Sequence, residues 1–264
     1  MKKVMVVLLS VYTLSACQGV PLDSNDDDNL SGRTMSAETE NRAADINTQL
    51  GAGYIANGNY ERALLKLNKA LKEEPNYAQA HNYLGVLYGR LERPKKAKQS
   101  FEKARRLSPN NSSILNNYAI FLCEQKEFDQ AEQLFNKVVN NPIYSNRASA
   151  YQSAGWCALS NNKLELSEKL YRKSLEINSD SPGSLLGLAK VNYKKESYLY
   201  AWSYFERFYK VSVLNADSLW LGINILNNLN APDKNLLSSF ELQLKSKYPD
   251  SDEAKWFYQG KQEY

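Results

Sequence analysis

One pattern of small, aromatic and aliphatic residues returns along this chain at a spacing of 34 residues. A Leu-Gly pair, a Tyr, an Ala, a large apolar residue, a second Ala and a Pro recur in that order. The first copy is Leu50, Gly51, Tyr54, Ala63, Leu67, Ala70 and Pro75, and the second is Leu84, Gly85, Tyr88, Ala97, Phe101, Ala104 and Pro109. Small residues let two antiparallel helices approach closely, and Pro ends the second helix. The pattern therefore predicts a stack of helix pairs rather than one large core.

This spacing and residue order are the signature of the tetratricopeptide repeat. We predict an all-α, right-handed solenoid of about six helix pairs, which fall near residues 44–77, 78–111, 112–145, 148–181, 182–215 and 216–249. Two extra residues separate the third and fourth copies. The fourth copy has Ser167 in place of an Ala, and Pro232 and Lys234 disturb the sixth. Residues 250–264 are expected to form a capping helix that carries Trp256 and Phe257.

The N-terminus has the features of an exported lipoprotein. Lys2 and Lys3 precede an apolar run, residues 4–11, that is too short to span a bilayer. The following Leu14-Ser15-Ala16-Cys17 resembles the bacterial lipobox, so residues 1–16 are predicted to be a removed signal peptide and Cys17 to carry the lipid. The alternative is an ordinary signal peptide with an incidental Cys17. Gln18 stands where an Asp would be linked to inner-membrane retention, so we expect an outer-membrane protein that faces the periplasm.

The segment between the lipid site and the first repeat, residues 17–43, is poor in large apolar residues. It carries Asp23, Asp26, Asp27 and Asp28 beside Ser, Asn and Gly. Such a composition cannot bury enough apolar surface to offset the entropy of ordering. We therefore predict a disordered acidic tether that lets the repeats move away from the membrane.

Charge and residue types argue against nucleic-acid binding and catalysis. Without Lys2 and Lys3, the 31 remaining basic residues and 29 acidic residues leave a net charge of +2, and no basic run is longer than Lys95-Lys96. The only histidine, His81, occupies a repeat position that wedges between helices, so a structural role is expected. No phosphate-binding Gly loop or metal-ligand spacing is present. We expect a non-enzymatic binding protein without a cofactor.

Two cysteines other than Cys17 lie in the first helices of neighbouring repeats, Cys123 and Cys157. Facing helices 8–10 Å apart bring Cα atoms to about 5 Å, which is within disulfide reach, and the periplasm permits oxidation. Helix rotation decides whether the two side chains face each other. Both a bridge and two small buried thiols are compatible with the sequence.

The expected ligand site is the concave face of the solenoid. Amide side chains hold the fifth position of consecutive repeats, and apolar side chains hold the ninth position. The amides are Asn82, Asn116 and Gln152, and the apolar residues are Val86, Ile120 and Trp156. An amide ladder can bind the backbone of an extended peptide while the apolar column accepts its side chains. The alternative is a polar surface without a ligand and a Trp156 that belongs to the core.

The exported chain as a whole resembles the PilF/PilW family of type IV pilus biogenesis lipoproteins. The resemblance is carried by the lipobox at Cys17, the acidic tether, the six repeats and several stretches of sequence. These stretches are residues 116–118, 121–125, 154–159, 220–223, 242–244 and 248–249. Ser167 and the disturbed sixth repeat are the main departures from the family pattern.

The resemblance implies a pilotin, which is a lipoprotein that binds the secretin subunit of the pilus. A pilotin carries that subunit to the outer membrane and promotes its assembly into a ring. We accordingly expect a monomer with the secretin subunit and the membrane as its partners. A general outer-membrane scaffold, such as an adaptor for peptidoglycan enzymes, is the alternative function.

Overall fold

A computed structural model describes the backbone of residues 31–261 and the side chains of residues 42–261. The predicted signal peptide, the lipidation site Cys17 and the first part of the predicted tether lie outside the described residues. Between residues 31 and 261 the chain forms thirteen α-helices and no strand. The helices are α1 (Ser31–Ala56), α2 (Tyr60–Glu73), α3 (Ala78–Arg90), α4 (Pro94–Leu107), α5 (Ser112–Glu124), α6 (Phe128–Val139), α7 (Arg147–Ser160), α8 (Leu164–Ile177), α9 (Pro182–Lys194), α10 (Tyr198–Val211), α11 (Ala216–Asn227), α12 (Lys234–Lys247) and α13 (Asp252–Tyr258).

The chain divides into a unit that ends at Thr39 and a unit that runs from Glu40 to the C-terminus. The second unit holds all the repeats. Helix α1 begins at Ser31, well before the start near residue 44 that the repeat pattern predicts, so the predicted disordered tether is helical from Ser31 onward. The stretch from Met35 to Leu50 is rich in Ala, Glu and other good helix formers, and an existing helix extends cheaply through such residues.

The first helices of successive pairs form one continuous row. Helices α3, α5, α7, α9 and α11 contact one another in succession, whereas α4, α6, α8, α10 and α12 do not contact one another. A row of closer helices on one side makes the stack curve toward that side. The first helices therefore line the concave face, and the second helices form the convex face.

Small residues set the spacing within each pair. A Cβ atom added to Gly85 would lie 2.7 Å from the ring of Phe101, so only Gly permits the ring to sit against the backbone of α3. Ser167, which replaces the usual Ala of the fourth pair, is buried, and its hydroxyl donates to the carbonyl of Gly155 at 2.7 Å. The buried hydroxyl is thus satisfied, and the departure from the pattern does not disturb the packing.

The turn inside each of the first five pairs contains a residue with left-handed backbone geometry. These residues are Gly58, Glu92, Lys126, Asn162 and Glu196, with φ between 54° and 71°. They recur every 34 residues except between the third and fourth pairs, where the spacing is 36. The longer interval corresponds to the extended connection between α6 and α7, where the two additional residues are accommodated.

The C-terminal end of the stack is closed by aromatic packing. Trp220 of α11 is buried, and its ring lies 6.4 Å from that of Trp256 in α13. Ala254 of α13 is fully buried in the same cluster. The segment predicted to cap the stack therefore packs on α11 and α12, with its helix limited to Asp252–Tyr258.

None of the described helices combines the length and apolarity that crossing a membrane requires.

Candidate functional site

The concave face contains a first cavity between α3 and α5. Val86 and Ile120, two predicted groove residues, both line this cavity, whose volume is about 410 Å³. Both side chains are half-buried. The other lining side chains are Arg90, Glu92, Phe101, Asn117, Phe121 and Glu124. The cavity thus has an apolar floor and a rim of charged groups.

Two carboxylates and one guanidinium give the rim of this cavity its electrostatic character. Partial burial raises the pKa of the Glu124 carboxyl above its ordinary value, and the positive charge of Arg90 acts in the opposite direction. Burial prevails because the carboxylate has lost part of its hydration. The cavity can therefore accept an apolar side chain, with the carboxylates of Glu92 and Glu124 at its rim.

A second cavity, of about 540 Å³, lies between α7 and α9. Gln152 and Trp156, also predicted groove residues, line it together with Leu186, Lys190 and Lys194. Trp156 is 37% exposed, so this large ring is accessible from the concave face. Lys190 forms an ion pair with Asp217 of α11 at 2.8 Å. The second cavity therefore combines an accessible aromatic ring with the exposed ammonium group of Lys194.

The predicted ladder of amides is not an exposed row. Asn82 is fully buried, and its carbonyl oxygen accepts a hydrogen bond from the amide of Asn117 at 3.3 Å. Asn116 is only 9% exposed. The prediction that these two amides face a ligand is wrong, because the fifth position turns toward the next helix of the concave row. Gln152 is half-buried, and its carbonyl oxygen accepts a hydrogen bond from the Ser181 hydroxyl at 2.9 Å.

The cavity-lining residues that the sequence did not assign to the groove include Asn117 and Glu124, at the sixth and thirteenth positions of the third repeat. The thirteenth position turns outward in this fold, so the repeat position of Arg90 and Glu124 predicts that both residues line the groove. The sixth position is not expected to face the groove, so the place of Asn117 in the cavity lining is known only from the structure.

A disulfide joins Cys123 of α5 and Cys157 of α7, whose Cα atoms lie 5.7 Å apart. Glu124 of the first cavity follows Cys123, and Trp156 of the second cavity precedes Cys157. The bridge therefore lies between the two cavities. A covalent link at this point fixes the distance between them.

His81 lies in the packed interior near the groove but does not line it. Its ring is 8% exposed, and Nε2 lies 3.0 Å from the carbonyl oxygen of Pro75, to which an N–H at that position donates. Burial lowers the pKa of the imidazole below its ordinary value of 6.5. In this environment His81 has a structural role in helix packing, and its surroundings do not resemble those of a general base.

A third accessible surface lies on α1 at the start of the stack. Ile46 and Leu50 are 50% and 44% exposed and line an open depression together with Gln49 and Tyr54. The sequence pattern does not single out this surface, because an exposed first helix has the same residue types as one covered by a neighbour.

The helical stack with its concave cavities defines a tetratricopeptide protein. Tetratricopeptide repeat models match residues 48–112, 90–141 and 148–181. Proteins of this class generally act as non-enzymatic scaffolds. Among residues 42–261, no group of three or more His, Cys, Asp or Glu side chains is placed to hold a metal ion.

The chain belongs to the PilF family of type IV pilus biogenesis proteins. It is 34% identical over 215 residues to the type IV pilus assembly protein PilF of Pseudomonas aeruginosa, which covers 81% of this chain and 84% of that protein. The solved structure of P. aeruginosa PilF matches with a TM-score of 0.74 and 33% identity over 84% of this chain and 99% of that structure.

A second family structure agrees with this assignment. The structure of PilW, described as a widely conserved type IV pilus biogenesis factor, matches with a TM-score of 0.75 and 28% identity. The match covers 83% of this chain and 99% of PilW. The resemblance inferred from sequence stretches is thereby confirmed at the level of the family and of the fold.

Proposed function

We propose that this protein is a pilotin for type IV pilus biogenesis: it binds the secretin subunit, directs it to the outer membrane and promotes its assembly there. The observation that carries the proposal is the concave groove of a protein that belongs to the PilF family. A groove with one accessible Trp and two separate cavities is suited to an extended segment of another protein.

The charges of the two cavities favour a particular kind of segment. Glu92 and Glu124 at the first cavity attract a cationic side chain, and the exposed Lys194 at the second attracts an acidic one. Helices of the concave row lie about 10 Å apart, so cavities two helices apart are separated by about 20 Å. An extended chain covers that distance in about six residues. The proposed ligand thus has opposite charges about six residues apart.

The proposed location is the outer membrane, with the repeats in the periplasm and an acyl anchor on Cys17. The lipobox at residues 14–17 supports this part of the proposal. Each buried methylene contributes about 0.8 kcal/mol, so two or three acyl chains would hold the protein stably. Anchor and groove together would keep a bound secretin subunit at the membrane where it assembles.

A groove variant tests the proposal. The double substitution Ile120→Ala and Trp156→Ala removes one apolar contact from each cavity, and truncation of such contacts costs about 2 kcal/mol each, or about thirtyfold in affinity. We expect loss of secretin multimers from the outer membrane with little change in melting temperature. Leu199→Ala with Tyr200→Ala is the matched control, because both residues are exposed on α10 of the convex face.

Unchanged secretin assembly in the groove variant would refute the concave site. Loss of assembly in the control variant but not in the groove variant would place the interface on the convex side. If purification of the lipidated protein recovers peptidoglycan enzymes and no secretin, the alternative function as a general outer-membrane scaffold is correct.

A further inference from the structure

The positive charge of this chain is concentrated in one segment. Residues 60–107 contain 12 Lys and Arg against 5 Asp and Glu, a net charge of +7. The remainder of the chain contains 21 basic and 24 acidic residues, a net charge of −3. The overall charge of +4 is therefore unevenly distributed, and a strongly basic region spans α2, α3 and α4.

The fold places much of this charge on the convex side of α2 and α4. On α2, Arg62, Lys69 and Lys72 lie on one stripe that is opposite the buried Ala63, Leu67 and Ala70. On α4, Lys95 and Arg106 lie opposite the buried Ala97, Phe101 and Ala104. All five basic side chains are exposed. We call these five residues the basic face.

The connection that follows α2 contacts the C-terminal part of α4. Lys103 of α4 donates from Nζ to the carbonyl oxygen of Pro75, two residues past the end of α2, at 3.3 Å. Because α2 and α4 are both second helices of their pairs, the two stripes share the convex side. No residue of the basic face forms an ion pair with another described residue, whereas the neighbouring Lys98 is paired with Glu127 at 2.8 Å.

An exposed apolar side chain lies within the basic face. Leu65 is 67% exposed and sits between Arg62 and Lys69 on the α2 stripe. Basic side chains around an exposed Leu on one helix surface are typical of helices that rest on the headgroup layer of a membrane. A partner protein with an acidic surface would need no apolar insertion at this point.

We propose that the basic face docks on the anionic headgroups of the membrane that holds the lipid anchor. This inference rests on the anchor at Cys17 under the proposed function. The 14 peptide steps from Cys17 to Ser31 span at most about 50 Å and the helical steps to Glu40 add about 14 Å, so an anchored chain keeps α2 and α4 within reach of the lipid surface. Docking through the convex side turns the concave groove away from the membrane.

Lysine labelling of the lipidated full chain tests the proposal. The protein is reconstituted into vesicles of neutral phosphatidylcholine and into vesicles that also contain anionic phosphatidylglycerol, and floated vesicles are treated with an amine-reactive reagent. Because a basic side chain near an anionic surface gains about fivefold in partitioning, Lys69, Lys72 and Lys95 should be labelled about fivefold more slowly in the anionic vesicles. High salt should restore their labelling, since it screens the attraction.

Matched lysines and a matched variant serve as controls. Lys169, Lys234 and Lys247 are exposed on α8 and α12 and should be labelled equally in both vesicles. The variant Arg62→Glu, Arg106→Glu should lose the protection of Lys69, Lys72 and Lys95, and the variant Lys169→Glu, Lys247→Glu should keep it. Both variants change the net charge equally.

Three other results would each contradict a different part of the proposal. Protein that floats with the vesicles but labels equally in both lipids refutes membrane docking and leaves the anchor intact. Protein that floats with neither vesicle refutes the anchor, and with it the docking. Protection of Lys69 and Lys72 that requires added secretin subunit would assign the basic face to a protein partner and refute the membrane as its ligand.

Discussion

Removal of the bridge between Cys123 and Cys157 should destabilise the middle of the stack. The two cysteines are 34 residues apart in sequence and are 3% and 5% exposed within the apolar cluster of the third and fourth pairs. For a loop of this length the chain-entropy model gives about 3 to 4 kcal/mol of stabilisation. For a protein of this size, that loss corresponds to a fall of about 10 °C in melting temperature.

The double variant Cys123→Ala, Cys157→Ala allows the effect of the bridge to be separated from that of the side chains. We expect reductant to lower the melting temperature of the parent protein but not that of the variant. Hydrogen exchange should accelerate in α5 and α7 and remain unchanged in α11, since repeats couple chiefly to their neighbours. Two free thiols in protein isolated from the periplasm, or a parent melting temperature that reductant does not change, would refute the reasoning.

Three further predictions concern the anchor, the helix spacing and the buried imidazole. Cys17→Ser should leave a folded protein that is lost from the outer-membrane fraction, and retention there would contradict the lipid anchor. Gly85→Val should lower the free energy of unfolding by about 1 to 3 kcal/mol in chemical denaturation, because the added Cβ would lie 2.7 Å from the Phe101 ring. Gly53→Ala is the control: the space around its added Cβ is open, so this substitution should be neutral or stabilising. Burial lowers the pKa of His81, so the unfolded chain binds the proton more readily and stability should fall as pH drops below about 6.5. His81→Gln should flatten the pH dependence of the melting temperature in this range. An unchanged slope would show that other titratable groups cause this pH dependence.

The sequence predicted the fold well because the repeat fixes both the spacing and the packing of helix pairs. Gly85 and Ala97 indicate close approach, and each large residue opposite them fills a defined gap. Helix α1 begins earlier than the repeat pattern predicts, since that pattern contains no information about helix that extends beyond the packed pair. The composition of the segment from Ser31 favoured a tether, although several of its residues are good helix formers.

The candidate site was predicted less completely, because exposure depends on helix rotation. Val86 and Ile120 do line one cavity, and Gln152 and Trp156 line another. Asn82 and Asn116 hold equivalent repeat positions, but the neighbouring helix covers them. A shift of one position exchanges a buried amide for an accessible one, as Asn116 and Asn117 show, and a periodic pattern alone does not resolve such a difference.

The contacts among the described helices have a consequence for the order of assembly during synthesis. No contact among α2 to α13 joins helices more than two places apart, and the disulfide spans 34 residues. A chain that emerges N-terminus first can therefore complete each helix pair soon after the next one appears, without waiting for its distant C-terminus. The last of the described helices to emerge, α13, then covers Trp220 and closes the apolar end of the growing stack.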